Sequence, residues 1–173
     1  NALMQRQKRE GFLNSVNQVL GIFRAARSDA ISNKRINGNV PEGGFGVFVH
    51  RVSESEMRIV RFVDDSSPEG NGEFDEGGTN DDTIVEDLTL TTPWIWNFEN
   101  TIGADNPDED EDFILIFLPP NAELTLLNSS TTEVLFHTEM LFQYNQGGQT
   151  ERRICLNRIS RFFEVIGPNS SCL

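Results

Sequence analysis

Positive charge is missing from half of this sequence, because residues 62–151 contain no Lys or Arg. Within that stretch the segment 64–112 carries 17 acidic residues, and the net charge of the 173-residue chain is −13. Nucleic-acid binding depends on a cationic face that neutralises phosphates. We therefore expect no nucleic acid among the partners of this protein.

Residues that carry enzyme chemistry are also scarce. The two histidines, His50 and His137, each lie in a predicted strand, and no serine or cysteine stands in a recognisable nucleophile motif. A zinc site would need His and Cys ligands at spacings that are absent here. We expect no enzyme; a hydrolase with paired carboxylates stays open, since strands can bring distant acids together.

Long apolar runs are absent too. No run approaches the roughly 18 residues of a membrane span, and no signal peptide is recognisable. The opening Asn1-Ala2 is typical of residues left after a tag is cleaved. We therefore expect the natural protein to have a different N-terminus.

A helical period fills the first 33 residues. Its apolar positions share one face of a 3.6-residue helix; they are Phe12, Val16, Val19, Leu20, Phe23, Ala26, Ala30 and Ile31. Residues 1–35 also carry seven Lys or Arg against two acids, mostly off this face. The pattern predicts one long amphipathic helix that ends near Ser32-Asn33, before the turn residues 37–39 and Pro41.

Short β-type runs separated by turn residues follow the helix. They are residues 43–49, 57–63, 84–90, 94–98, 113–118, 124–127, 132–137, 140–144, 154–157 and 159–165. The unbroken apolar run Phe113–Leu118 predicts a strand that is buried on both faces. The expected class is α+β, with a helical segment (1–35) packed on an antiparallel sheet or pair of sheets in a β-rich head (36–173).

The glycine-rich acidic loop 64–83 is the strongest candidate site. Calcium prefers six to eight oxygen ligands from carboxylates, amides and carbonyls. We expect Asp64, Asn71, Glu73 and Asp75 to be the first ligands, because Gly70 and Gly72 let the chain bend between them. Without an ion, the close carboxylates would repel one another, so the other expectation is a solvated, disordered loop.

Cysteine is nearly absent. Cys155 and Cys172 flank the last predicted strand, a spacing that suits a disulfide closing a short loop and an oxidising compartment. Two free thiols are the alternative.

With these elements in place, the chain resembles type IV pilins and pseudopilins, especially the minor H-type group. The helix end Phe23–Ile31 is similar to the family's Ala-Arg-Ser-x-Ala-Ile stretch. The loop Phe62–Gly77 is similar to its Phe-x-Asp-x-Asn-x-Asn-Gly-x-x-Asp-x-Gly-Glu loop, and Arg153–Arg161 to its Arg-x-Ile-x-Val-x-x-x-Gly-Arg end strands. The family's apolar N-terminal half-helix is missing, and Ser160 stands in place of its last Gly.

The resemblance implies a structural subunit, not an enzyme. The full-length precursor would be anchored in the inner membrane by the missing half-helix. It would then pack with other pilin subunits, identical or different, into an extracellular filament or a periplasmic pseudopilus. The helix would be partly uncovered: Leu3, Met4 and Ile22 would be exposed, and the residues before about Gly11 would protrude or be frayed. The alternative is a secreted calcium-dependent binding or adhesion module that uses the acidic loops 64–83 and 103–112.

Overall fold

The structure, a computed structural model, describes residues 2–53, 55–65, 70–77, 81–91, 95–100, 112–128, 137–144, 150–157 and 163–166. In these residues a helix, α1 (Ala2–Ile31), precedes nine strands. The strands are β1 (Phe45–Ser53), β2 (Glu56–Val63), β3 (Thr83–Thr91), β4 (Ile95–Asn100), β5 (Asp112–Leu118), β6 (Glu123–Asn128), β7 (His137–Tyr144), β8 (Thr150–Asn157) and β9 (Phe163–Ile166).

The helix α1 has two different halves. From Phe12 onward its apolar face is buried, whereas residues 2–7 are exposed. Leu3 and Met4 are 70% and 59% exposed, as expected, but Ile22 is only 4% exposed because it packs in the core. The helix ends one residue before the predicted Ser32-Asn33, and Asn33 then adopts a left-handed φ of 48° that stops the helical path.

Two antiparallel sheets follow the helix. The larger has the order β3-β2-β1-β5-β6, and the smaller has the order β4-β7-β8-β9. The predicted α+β class is therefore correct. The strand predicted at 140–144 is longer than expected, because β7 starts at His137 and pairs continuously with β8. The rest of the predicted run 132–137 lies outside the described residues.

The main core lies between α1 and one face of the larger sheet. Alternate residues of three strands face the helix; they are Phe45, Val47 and Val49 of β1, Met57 and Ile59 of β2, and Phe113, Leu115 and Phe117 of β5. Ile154 and Leu156 of β8 join the same cluster. Each fully buried side chain of this size contributes about 1.5–3 kcal/mol of transfer free energy.

The opposite face of the larger sheet carries a second apolar cluster. It consists of Val60, Phe62, Ile114 and Ile116, with Phe48, Phe74, Leu118 and Leu127 packed against it. The strand β5 thus contributes to both clusters through alternate residues. This confirms the prediction that the run Phe113–Leu118 is buried on both faces.

Candidate functional site

The acidic loop is fastened to the end of β2 by Asp64. This carboxylate is 1% exposed and accepts hydrogen bonds from the backbone N–H groups of Asn71, at 3.1 Å, and Gly72, at 2.8 Å. Hydrogen bonds to an ionised carboxylate are about twice as strong as neutral ones. Asp64 therefore holds the turn 70–72 against the larger sheet.

Two glycines make room for the Asp64 side chain. A Cβ atom on Gly43 would lie 2.6 Å from Cγ of Asp64, and one on Gly70 would overlap Cα of Gly43. Gly70 also has a φ of +73°, a conformation that other residues rarely adopt. Gly43, just before β1, and Gly70 of the loop thus enclose a carboxylate.

Three other acids of the loop, Asp65, Asp75 and Asp82, also accept hydrogen bonds from the protein itself. Asp65 binds the backbone N–H and the hydroxyl of Thr83, at 2.9 and 2.8 Å. Asp82 accepts the N–H of Asp75 at 3.0 Å, and Asp75 accepts the side-chain amide of Asn71 at 2.7 Å. Backbone N–H groups thus bind carboxylates for which the sequence suggested only an ion or solvent.

Arg58 of β2 supplies a cation that the local sequence does not reveal. Its guanidinium donates two hydrogen bonds to Glu76, at 2.7 and 2.9 Å, and its Nη2 donates another to Asp87 of β3 at 2.7 Å. These contacts, the bonds to Glu76 first, raise the pKa of Arg58. They also hold the pKa of Glu76 below its ordinary value. Arg58 therefore bridges the acidic loop and β3.

Phe74 attaches the loop to the outer face of the larger sheet. Its ring centroid lies 4.9 Å from that of Phe48, in a stacked arrangement, and 4.9 Å from that of Phe62. Such aromatic pairs contribute about 0.5–1.5 kcal/mol beyond the area they bury. Phe74 was not among the residues predicted for the site, although a single Phe among glycines and acids was a usable signal.

An open groove lies beside the Asp64 turn, with a volume of about 330 Å³. Its apolar lining comes from Ile36, Val40, Pro41 and Val63, and its polar lining from Asn37, Asn39, Glu42, Asp64 and Asp65, with Gly70 completing it. Residues 36–42 connect α1 to β1. The groove therefore lies at the C-terminal end of the helix.

The four residues predicted to bind calcium do lie in one loop. However, Asp64 directs both carboxylate oxygens to backbone N–H groups, and Glu73 is exposed, with its N–H donating to Asn71 Oδ1 at 2.9 Å. Within the described ranges, no group of three or more His, Cys, Asp or Glu side chains is placed to hold a metal. Calcium binding stays a prediction.

The second acidic loop, 103–112, lies outside the described residues except for Asp112. This residue starts β5, and its carboxylate contacts Nδ1 of His50 directly across the β1–β5 ladder. The His50 ring also stacks on Phe48, with centroids 6.1 Å apart. His50 thus links the first residue of β5 to the neighbouring strand β1.

One of the two cysteines is described. Cys155 lies on β8, is 6% exposed and is disulfide-bonded. Its predicted partner, Cys172, lies outside the described residues, so their pairing stays a prediction.

Comparisons with protein-family models, with curated proteins and with solved structures find no match for this chain. In the described part of the chain, no helix combines the length and the apolar character that crossing a bilayer requires. Any functional inference therefore depends on the residues and contacts described above.

Proposed function

We propose that this protein is a structural subunit of a type IV pilus or of a type II secretion pseudopilus. The observation that supports the proposal best is the division of α1. The apolar face of its second half is buried in the domain, whereas Leu3 and Met4 in its first half are largely exposed. Exposed apolar residues on a helix are suited to packing against another protein surface. In a filament, that surface would belong to another pilin subunit.

The distribution of charge also supports assembly between copies. At 1.5 Å per residue, α1 is about 44 Å long, and its exposed start carries Arg6, Lys8 and Arg9. The other end of α1 has mixed charge, since Lys34 and Arg61 both pair with Asp29 there. The β-rich head, residues 36–173, carries 7 Lys or Arg against 25 acidic residues. A basic helix start and an acidic head on one molecule favour contacts between the helix start of one copy and the head of another.

Contacts between the helix start of one copy and the head of another have a specific structural consequence. They join different surfaces of two copies, and such interfaces form an open helical filament when the rotation between copies does not close. The attraction between exposed charges weakens with salt. The packing of apolar helix residues is less sensitive to salt, so both contributions can be separated.

The test uses the full-length protein in its native cells. Antibodies raised against the present chain are expected to label extracellular filaments or short periplasmic fibres. The double variant Leu3→Glu, Met4→Glu should abolish assembly while the protein still accumulates. Val52→Glu is a matched control, because Val52 is also exposed, at 48%, but lies on β1. A monomeric secreted protein, or assembly that survives the helix variant, would refute the proposal.

A further inference from the structure

The chain contains two Asn-Gly dipeptides, Asn37-Gly38 and Asn71-Gly72, and the structure gives them opposite surroundings. In such a dipeptide, the backbone nitrogen of the glycine can attack the side-chain carbonyl carbon of the asparagine. Glycine favours this reaction because it has no side chain to block the approach and its backbone rotates freely. Whether the reaction occurs depends on the freedom of both groups.

Asn37-Gly38 forms an exposed two-residue turn. Ile36 and Asn39 exchange two backbone hydrogen bonds, of 2.8 and 3.0 Å, across it. The φ angles of +52° and +91° are those of a type I′ turn. The bridge between Ile36 and Asn39 is isolated from any strand. The turn can therefore open by breaking these two hydrogen bonds and the exposed one that Arg35 Nη1 donates to Gly38 O at 3.2 Å.

In Asn71-Gly72, hydrogen bonds restrain both the glycine nitrogen and the asparagine side chain. The nitrogen of Gly72, which would be the nucleophile, donates to the buried carboxylate of Asp64 at 2.8 Å. Removing its proton would create a negative charge beside that carboxylate, which Coulomb repulsion opposes. The Asn71 side chain is bound at both ends, with Oδ1 accepting from Glu73 N and Nδ2 donating to Asp75. Its carbonyl carbon therefore rotates towards Gly72 only when both of these hydrogen bonds break.

We propose that Asn37 is a site of spontaneous deamidation in the folded protein and that Asn71 is protected by Asp64. The nitrogen of Gly38 loses its proton to hydroxide from solvent and bonds to Cγ of Asn37. The bond from Cγ to the side-chain nitrogen breaks, and that nitrogen takes a proton from water and leaves as ammonia. Water then opens the resulting succinimide ring to aspartate or isoaspartate.

The product changes the groove in two ways. Asn37 lines the groove that also contains Glu42 and Asp65, so the reaction adds a further carboxylate to an acidic surface. Isoaspartate also lengthens the main chain by one carbon in a turn that has only two loop residues. The reaction would therefore alter this end of the molecule with time and independently of any enzyme.

The test is peptide mapping by mass spectrometry after incubation of the folded chain in mildly alkaline buffer. The peptide with Asn37 is expected to convert at least about tenfold faster than the peptide with Asn71, because reaction at Asn71 requires the loop to open first. In denaturant, the two dipeptides should convert at similar rates. Asn39, which is followed by Val40, provides an internal control that should stay unchanged.

Two variants sharpen the result. Asn37→Gln should remove the fast phase, because glutamine would have to form a larger ring. Asp64→Asn should accelerate conversion at Asn71, and circular dichroism would report whether this variant is folded. Equal rates at Asn37 and Asn71 in the folded parent chain, or no conversion at Asn37 while the denatured chain reacts, would refute the proposal without reference to the variants.

Discussion

At the scale of single residues, Phe74 supplies the aromatic contact between the acidic loop and the larger sheet. Replacement by alanine removes the ring contacts with Phe48 and Phe62. Because Phe74 is half-buried, we expect Phe74→Ala to lower the free energy of unfolding by about 2 kcal/mol, less than the 3–5 kcal/mol of a fully buried phenylalanine. Denaturant titration measures the change. Phe74→Leu is the control, and its loss of unfolding free energy should be less than half of that in Phe74→Ala. An unaltered midpoint in the alanine variant would contradict this role.

Asp64 and Arg58 show why the site was harder to predict than the fold. The sequence identified Asp64 as a ligand candidate, because an acid next to glycines can bind a cation. It did not show that the backbone N–H groups of Asn71 and Gly72 would donate hydrogen bonds to both carboxylate oxygens. Arg58 was also not assigned to the loop, because Glu76 is 18 residues away in the sequence and reaches Arg58 only through the folding of the loop.

At the scale of elements, two glycines in regular structure are expected to respond oppositely to alanine. Gly21 lies exposed in α1, and a Cβ atom added to it would have nothing within 4 Å, so Gly21→Ala should stabilise the helix by about 0.5–1 kcal/mol. Gly46 in β1 faces the Phe62 ring, which would overlap the new Cβ. Gly46→Ala should therefore destabilise by about 1–3 kcal/mol. Thermal unfolding of both variants checks the signs, and shifts in the same direction would contradict the packing described.

The contact between β2, the acidic loop and β3 predicts a pH dependence. The pKa of Glu76 is lowered by Arg58, so its stabilising contribution is present above the unfolded value of about 4.3. That contribution disappears as the pH falls through the lower folded pKa. Because Glu76 is largely exposed, it amounts to less than about 1 kcal/mol.

Glu76→Gln tests this dependence through melting temperatures measured from neutral to acidic pH. The variant should be less stable than the parent near neutral pH and should approach it below the folded pKa of Glu76. Glu123→Gln, on β6 and away from Arg58, is the matched control. A constant difference between Glu76→Gln and the parent at every pH would show that the ion pair does not contribute.

The elements themselves were largely predictable because periodicity reports which face is buried. The helix followed from its 3.6-residue pattern, and β5 followed from an uninterrupted apolar run. The pairing order of the strands did not follow, because β1 lies next to β5, which is more than 50 residues further along the chain. Contacts made across such pairings cannot be recognised until the strand order is known. The contact of His50 with Asp112 is an example.

At the scale of the whole molecule, the disulfide is expected to join the C-terminal tail to the smaller sheet. Cys155 is disulfide-bonded, and Cys172 is the other cysteine of the chain. Removing a disulfide that closes a loop of this size should lower the free energy of unfolding by about 3 kcal/mol. Alkylation followed by mass spectrometry, with and without reductant, identifies the pair. Labelling of both thiols in the unreduced protein would contradict it.

Variants in the two halves of α1 should distinguish residues that stabilise the monomer from residues that are available for assembly. Residues 2–7 are exposed, so deleting residues 1–7 should change the free energy of unfolding by less than about 0.5 kcal/mol. Phe12 is completely buried in the core, and Phe12→Ala should cost about 3–5 kcal/mol. Denaturant unfolding of both variants measures the contrast. If the deletion destabilised the domain as much as Phe12→Ala does, the start of the helix would belong to the fold of the monomer, and the main argument for its use in subunit packing would be lost.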